Sequence, residues 1–149
     1  MRAGLLMLAA LLLACPWAVA ALAQAPPCSK TDFEAVVDEA AGALRDLGRQ
    51  NTPTFQARLR QLKDKRRWSD DEFLREAEPL VRDDTIAGFD RKSEDFLARI
   101  TSGGQTGPSG GAPDCAVLVE LRTTMKALVE TQKAKWAYMF GKIEAELRR

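Results

Sequence analysis

The stretch CAVLVELRTTMKALVETQKAKWAYMFGKIEAEL, residues 115–147, decides the fold. Leu118, Leu121, Met125, Leu128, Gln132, Trp136, Met139, Ile143 and Leu147 recur by threes and fours. That period lays one stripe along a helix of roughly 50 Å at about 1.5 Å per residue. Neither proline nor strand-like alternation interrupts it.

Upstream the apolar spacing is helical as well. Thr31-Asp32-Phe33-Glu34 has the form of a capping box. It opens a run of Phe33, Val36, Val37, Ala40, Leu44 and Leu47 that Gly48 is positioned to stop. The spacing thus predicts a first helix over 32–47. Thr52 and Pro53 read as the cap and first residue of a second helix, which carries Phe55, Leu59 and Leu62 and ends near Trp68. Ser69-Asp70-Asp71-Glu72 is another capping box, followed by Phe73, Ala77, Leu80 and Val81. Pro79 lies inside that run, where a missing amide and a bulky ring predict a kink or break. A further helical run has Ile86, Phe89, Phe96, Leu97 and Ile100. Residues 101–113, TSGGQTGPSGGAP, read as a flexible loop.

The expected fold is therefore all-α: an antiparallel bundle of four or five helices with a long C-terminal helix. Because that last helix is about twice as long as the predicted first one, its far end is expected to project, or to pair with the kinked helix or another subunit.

The N-terminus reads as a leader. Met1-Arg2, the apolar run from Leu5 to Ala14 and the small-residue exit Ala21-Leu22-Ala23 are the parts of a secretory signal peptide. Cleavage after Ala23 leaves a single domain over 24–149; cutting after Ala25 would place Pro26 against the cut. The alternative is a lipobox, Leu12-Leu13-Ala14-Cys15, with Cys15 as the lipid anchor. A retained membrane span is disfavoured because Pro16 interrupts a run shorter than the roughly twenty residues a bilayer requires. The expected location is periplasmic or secreted, in a bacterial envelope.

With Arg2 gone from the 22 Lys and Arg residues, 21 face 21 acids. Such neutrality argues against a nucleic-acid binder, which needs excess cations to displace counterions from phosphate. Cys28 and Cys115 remain, and in an oxidising compartment an isolated pair reads as a disulfide. Closing its 88-residue loop, counted inclusively, is worth about 4 to 5 kcal/mol in the chain-entropy model. The chain has no histidine. This excludes Ser-His-Asp and Cys-His nucleophiles, imidazole bases and CxxCH haem attachment.

Two groups of residues have the chemistry of a contact surface. The basic run Arg58, Arg60, Lys63, Lys65, Arg66 and Arg67 beside Trp68 suits an anion, an anionic headgroup or a protein partner. Trp136, Tyr138 and Phe140, flanked by lysines, occupy too many faces of one helix to share a core, so Tyr138 or Phe140 is expected to be exposed to a partner or a membrane surface. Gln132 falls on the apolar stripe, where an amide can set register. The acids Asp83, Asp84, Asp90, Glu94 and Asp95 lack calcium-loop spacing, and the glycine-rich segment lacks both a Walker motif and a dinucleotide fingerprint. No cofactor is implied.

These features favour a non-enzymatic binding or protein-interaction module, with an envelope protein or small ligand as partner. The Leu-Thr-x-x-Gln repeat of small helical periplasmic chaperones is absent. In outline the chain resembles the secreted all-helical chorismate mutases, in its capped helices, Pro/Gly loop and disulfide. That resemblance, one of shape, implies an enzyme acting without histidine through an Arg/Lys/Glu-lined groove. A structural or oligomeric role is the third class, with the C-terminal helix as the contact.

Overall fold

A computed structural model describes residues 28–105 and 114–149. The leader, Cys15, the cleavage site and most of the glycine-rich segment lie outside the described residues. The described residues form four helices: α1 (Lys30–Arg66), α2 (Asp70–Val81), α3 (Asp84–Gln105) and α4 (Cys115–Arg148). No strand occurs among the described residues.

The segment expected to hold two helices, 32–47 and 53–68, is one helix of 37 residues. Neither Gly48 nor Pro53 stops it. Its apolar phase explains why: Ala40, Leu44, Leu47, Phe55, Leu59 and Leu62 stay on one face across both residues, so packing against α4 offsets their local cost. That cost is about 1 kcal/mol for a helix-interior glycine and about 3 for proline. Side chains also cover carbonyls around the proline. The Thr54 hydroxyl donates to the Gln50 carbonyl at 3.0 Å, and the Asn51 amide to the Leu47 carbonyl at 2.9 Å.

The cap of α1 lies two residues earlier than expected. Ser29, not Thr31, is the N-cap, and Asp32 at the third position closes the box by accepting from the Ser29 amide at 2.7 Å. Glu34, expected in the box, instead pairs with Lys30. At the other end Arg67 adopts a left-handed conformation, φ 56°, and its amide donates to the Asp64 and Lys63 carbonyls.

The capping box at Ser69 and Glu72 forms as the sequence predicts. Helix α2 continues past Pro79 to Val81, and the break falls at Arg82 and Asp83. Residues 101–105, read as part of the loop, complete α3.

Helix α4 is the spine, with α1 and α3 both packed along it and α2 against its C-terminal end. The direction of α1 departs from a purely antiparallel arrangement. Cys28, before α1, is disulfide-bonded to Cys115, the first residue of α4, with their Cα atoms 5.4 Å apart. At the far end Arg66 donates to the Glu146 carbonyl at 3.2 Å. Helices α1 and α4 are consequently parallel, whereas α3 runs against both: Ser93 meets Gln132, and Asp83 meets Tyr138. The 34-residue α4 is matched in length by the 37-residue α1, and its C-terminal end pairs with α2, the helix that carries Pro79, one of the arrangements expected for it.

Two apolar clusters fill the fold. One, at the disulfide end, centres on Cys28, Val36, Ala40, Leu118, Met125 and Val129. The other, at the α2 end, centres on Phe55, Leu62, Leu80, Ile86, Met139 and Ile143. The two large side chains sealed completely from solvent, Leu62 and Ile143, both belong to the second.

Candidate functional site

The polar chemistry of this fold gathers where α3 crosses α4. Asp83 is the N-terminal cap of α3, its Oδ1 accepting from the Ile86 amide at 2.8 Å. Its Oδ2 accepts from the Tyr138 hydroxyl at 2.9 Å and from the Lys142 ammonium. Lys142 also donates to the Pro79 carbonyl and stands 5.4 Å from the centre of the Tyr138 ring. One ammonium therefore joins the end of α2, the start of α3 and the body of α4. The Lys142 hydrogen bond, helped by the Ile86 amide and the Tyr138 hydroxyl, lowers the Asp83 pKa from 3.8 to about 2.

About two turns along α4 from Lys142, Lys135 pairs with Asp90. Beyond it the Gln132 amide donates to the Ser93 hydroxyl at 2.7 Å, and that hydroxyl donates to the Phe89 carbonyl at 2.9 Å. Gln132 thus forms part of a polar seam between the two apolar clusters. No buried side-chain nitrogen or oxygen among the described residues lacks a partner. The acids and lysines here are held by one another, a geometry that fixes helix positions.

The basic run at the end of α1 is distributed over several contacts. Arg58 pairs with Glu144 at 3.1 Å, Lys63 with Asp70, and Arg66 with Glu146 at 3.3 Å. Lys65 donates to the Leu147 carbonyl. Arg60 and Arg67 remain exposed and form no ion pair among the described residues. Trp68 is half-buried against the second cluster. The run is therefore partly a set of clasps between α1 and α4, with two of its arginines directed to solvent.

The aromatic residues differ from expectation. Trp136, Tyr138 and Phe140 are all half-buried and pack against the second cluster. Phe55 is the reason: its ring meets Trp136 edge-on at 6.0 Å and Phe140 at 5.4 Å. Tyr138 faces the opposite neighbour, with Phe89 at 6.3 Å. These three side chains and Met139 between them can all be accommodated because α4 has a helix on each side. An exposed patch at Tyr138 or Phe140 is not what the packing gives.

The acidic residues of α3 do not converge. Among the described residues no three His, Cys, Asp or Glu side chains are placed to hold a metal ion. A shallow open depression on α3 is lined by Val81, Arg82, Ile86, Ala87, Asp90, Arg91 and Glu94, with both signs of charge. Exposed apolar side chains occur at Leu74 and Val81 on α2, Leu97 on α3 and Val119 on α4. No described helix is long and apolar enough to cross a membrane.

Sequence reasoning missed the role of Asp83. Its signal was present: an Asp immediately before a helical apolar run that begins with Ile86 has the chemistry of a helix cap. Its partners on α4 are 55 and 59 positions away, and no local rule finds them. Comparison with protein-family models, curated proteins and solved structures gives no match, so the reading of function rests on the residues themselves.

Proposed function

We propose that the chain is an exported helical protein of the bacterial cell envelope, periplasmic or secreted, that works by binding a partner and not by catalysis. The Cys28–Cys115 disulfide carries this reading, because such bonds persist in oxidising compartments, and the leader-like run from Met1 to Ala23 agrees with it. Binding is favoured over catalysis by the way the interhelical acids, lysines and tyrosine are occupied. A general acid or base has to reach a substrate proton, whereas Asp83, Lys142, Asp90 and Lys135 are spent holding α3 to α4.

The partner surface in this reading is the end of α1, where Arg60 and Arg67 are exposed in the basic run that leads to Trp68 and suit an acidic protein partner. The test has two parts. The full chain, produced with its own leader in a Gram-negative host, should appear in the periplasmic fraction and lose that location when Leu8 and Leu11 are changed to Arg. A photo-crosslinker at position 60 should then give an adduct that weakens in high salt and in Arg67→Glu. Retention in the cytoplasm would overturn export, and an adduct indifferent to Arg67→Glu would overturn the surface.

A further inference from the structure

The two ends of the fold are held together by different means. From Arg58 onward, α1 is tied to α4 by Arg58–Glu144, Arg66–Glu146 and Lys65 to the Leu147 carbonyl. On the other side Lys135–Asp90, Tyr138–Asp83 and Lys142–Asp83 tie α4 to α3. Leu62 and Ile143 are sealed from solvent beneath these ties. At the opposite end, between residues 30 and 57 of α1, no hydrogen bond or close ion pair crosses to α4 among the described residues, and the Arg122 charge acts on Asp32 only at longer range. The cross-link there is the disulfide, accompanied by a hydrogen bond from the Cys28 amide to the Cys115 sulfur at 3.1 Å. The apolar cluster beneath it has no member less than 6% exposed.

The boundary between these halves is visible on each long helix. Helix α1 has Pro53, which cannot donate to the Arg49 carbonyl, α3 has Ser93, and α4 has Gln132 hydrogen-bonded to that serine. These interruptions lie at nearly one level, since Phe55, two residues beyond Pro53, meets Trp136, four residues beyond Gln132, edge-on at 6.0 Å.

We infer that the disulfide is a redox latch on one half of the molecule: reducing Cys28–Cys115 opens the segments 30–47 and 115–125 while the α2 end stays folded. The chemistry requires a dithiol. Its thiolate attacks the sulfur of Cys115, the exposed partner, and expels Cys28 as a thiolate that takes up a proton. The second thiol of the reagent then displaces Cys115, which is protonated in turn, and the reagent leaves as a disulfide. Two electrons and two protons pass to the protein. Opening presents Phe33, Val36, Leu44 and Leu121, apolar groups now covered by the pairing of α1 with α4. This inference does not depend on which partner the protein binds.

Amide hydrogen exchange on the full chain, with and without dithiothreitol, tests it. The expected result is exchange about tenfold or more faster in 30–47 and 115–125, with 55–66, 84–93 and 132–147 changed by less than about twofold. The Cys28→Ser/Cys115→Ser variant, measured without the reagent, should give the same pattern. Acceleration spread evenly over all helices, loss of all protection in the variant, or no acceleration at all would each overturn the latch.

Discussion

Asp83 and Tyr138 meet through a 2.9 Å hydrogen bond, although 55 positions separate them in the chain. The same carboxylate caps α3 and holds Lys142, so one side chain both starts a helix and fixes where that helix lies on α4. Hydrogen bonding to the charged form lowers the pKa of a carboxylate, and here it reaches about 2.

That depression predicts an acid limb of stability. A carboxylate whose folded pKa lies below its unfolded value contributes stability that is fully present above the unfolded value, 3.8, and is lost as pH falls through about 2. Urea midpoints measured between pH 6 and pH 2 should therefore decline more steeply for the wild type than for Asp83→Asn, with the two curves approaching each other at the acid end. Parallel curves would show that Asp83 is not tied in this way.

Burial predicts a sharp contrast among leucines. Leu62 is fully buried and Leu74 is 69% exposed. Leu62→Ala should cost about 3 kcal/mol through lost transfer energy and the cavity left behind, and Leu74→Ala within about 0.5 kcal/mol of nothing. Chemical denaturation of the two variants checks the ranking, which equal losses would contradict.

Pro53 is a place where the native residue works against its own helix. Replacing it with Ala supplies an amide donor for the Arg49 carbonyl and removes ring crowding, so Pro53→Ala should raise stability by about 1 to 3 kcal/mol. A lower urea midpoint would contradict this and would mean that the proline's restriction of the unfolded chain outweighs its cost inside the helix.

Local signals carried much of the fold. The Ser69–Glu72 cap, the extent of α4 and the Cys28–Cys115 pairing follow from rules spanning a few residues or from counting cysteines. The single long α1 does not, because Gly48 and Pro53 are strong local punctuation and only the unbroken phase from Leu44 to Leu62 argues against them. The parallel course of α1 and α4 was legible in principle: a bond between a residue just before one helix and the first residue of another puts both N-termini at one end. The burial of Trp136, Tyr138 and Phe140 was not legible, since it depends on α4 being flanked by Phe55 on one side and Phe89 on the other.

Intact mass with thiol alkylation checks at once the proposed export and the closure of the chain by the Cys28–Cys115 bond. Protein recovered from the envelope without reductant should begin at Gln24 and take no label, then take two labels once reduced and denatured. A chain that keeps its leader, or that takes both labels when denatured without reduction, would contradict the account.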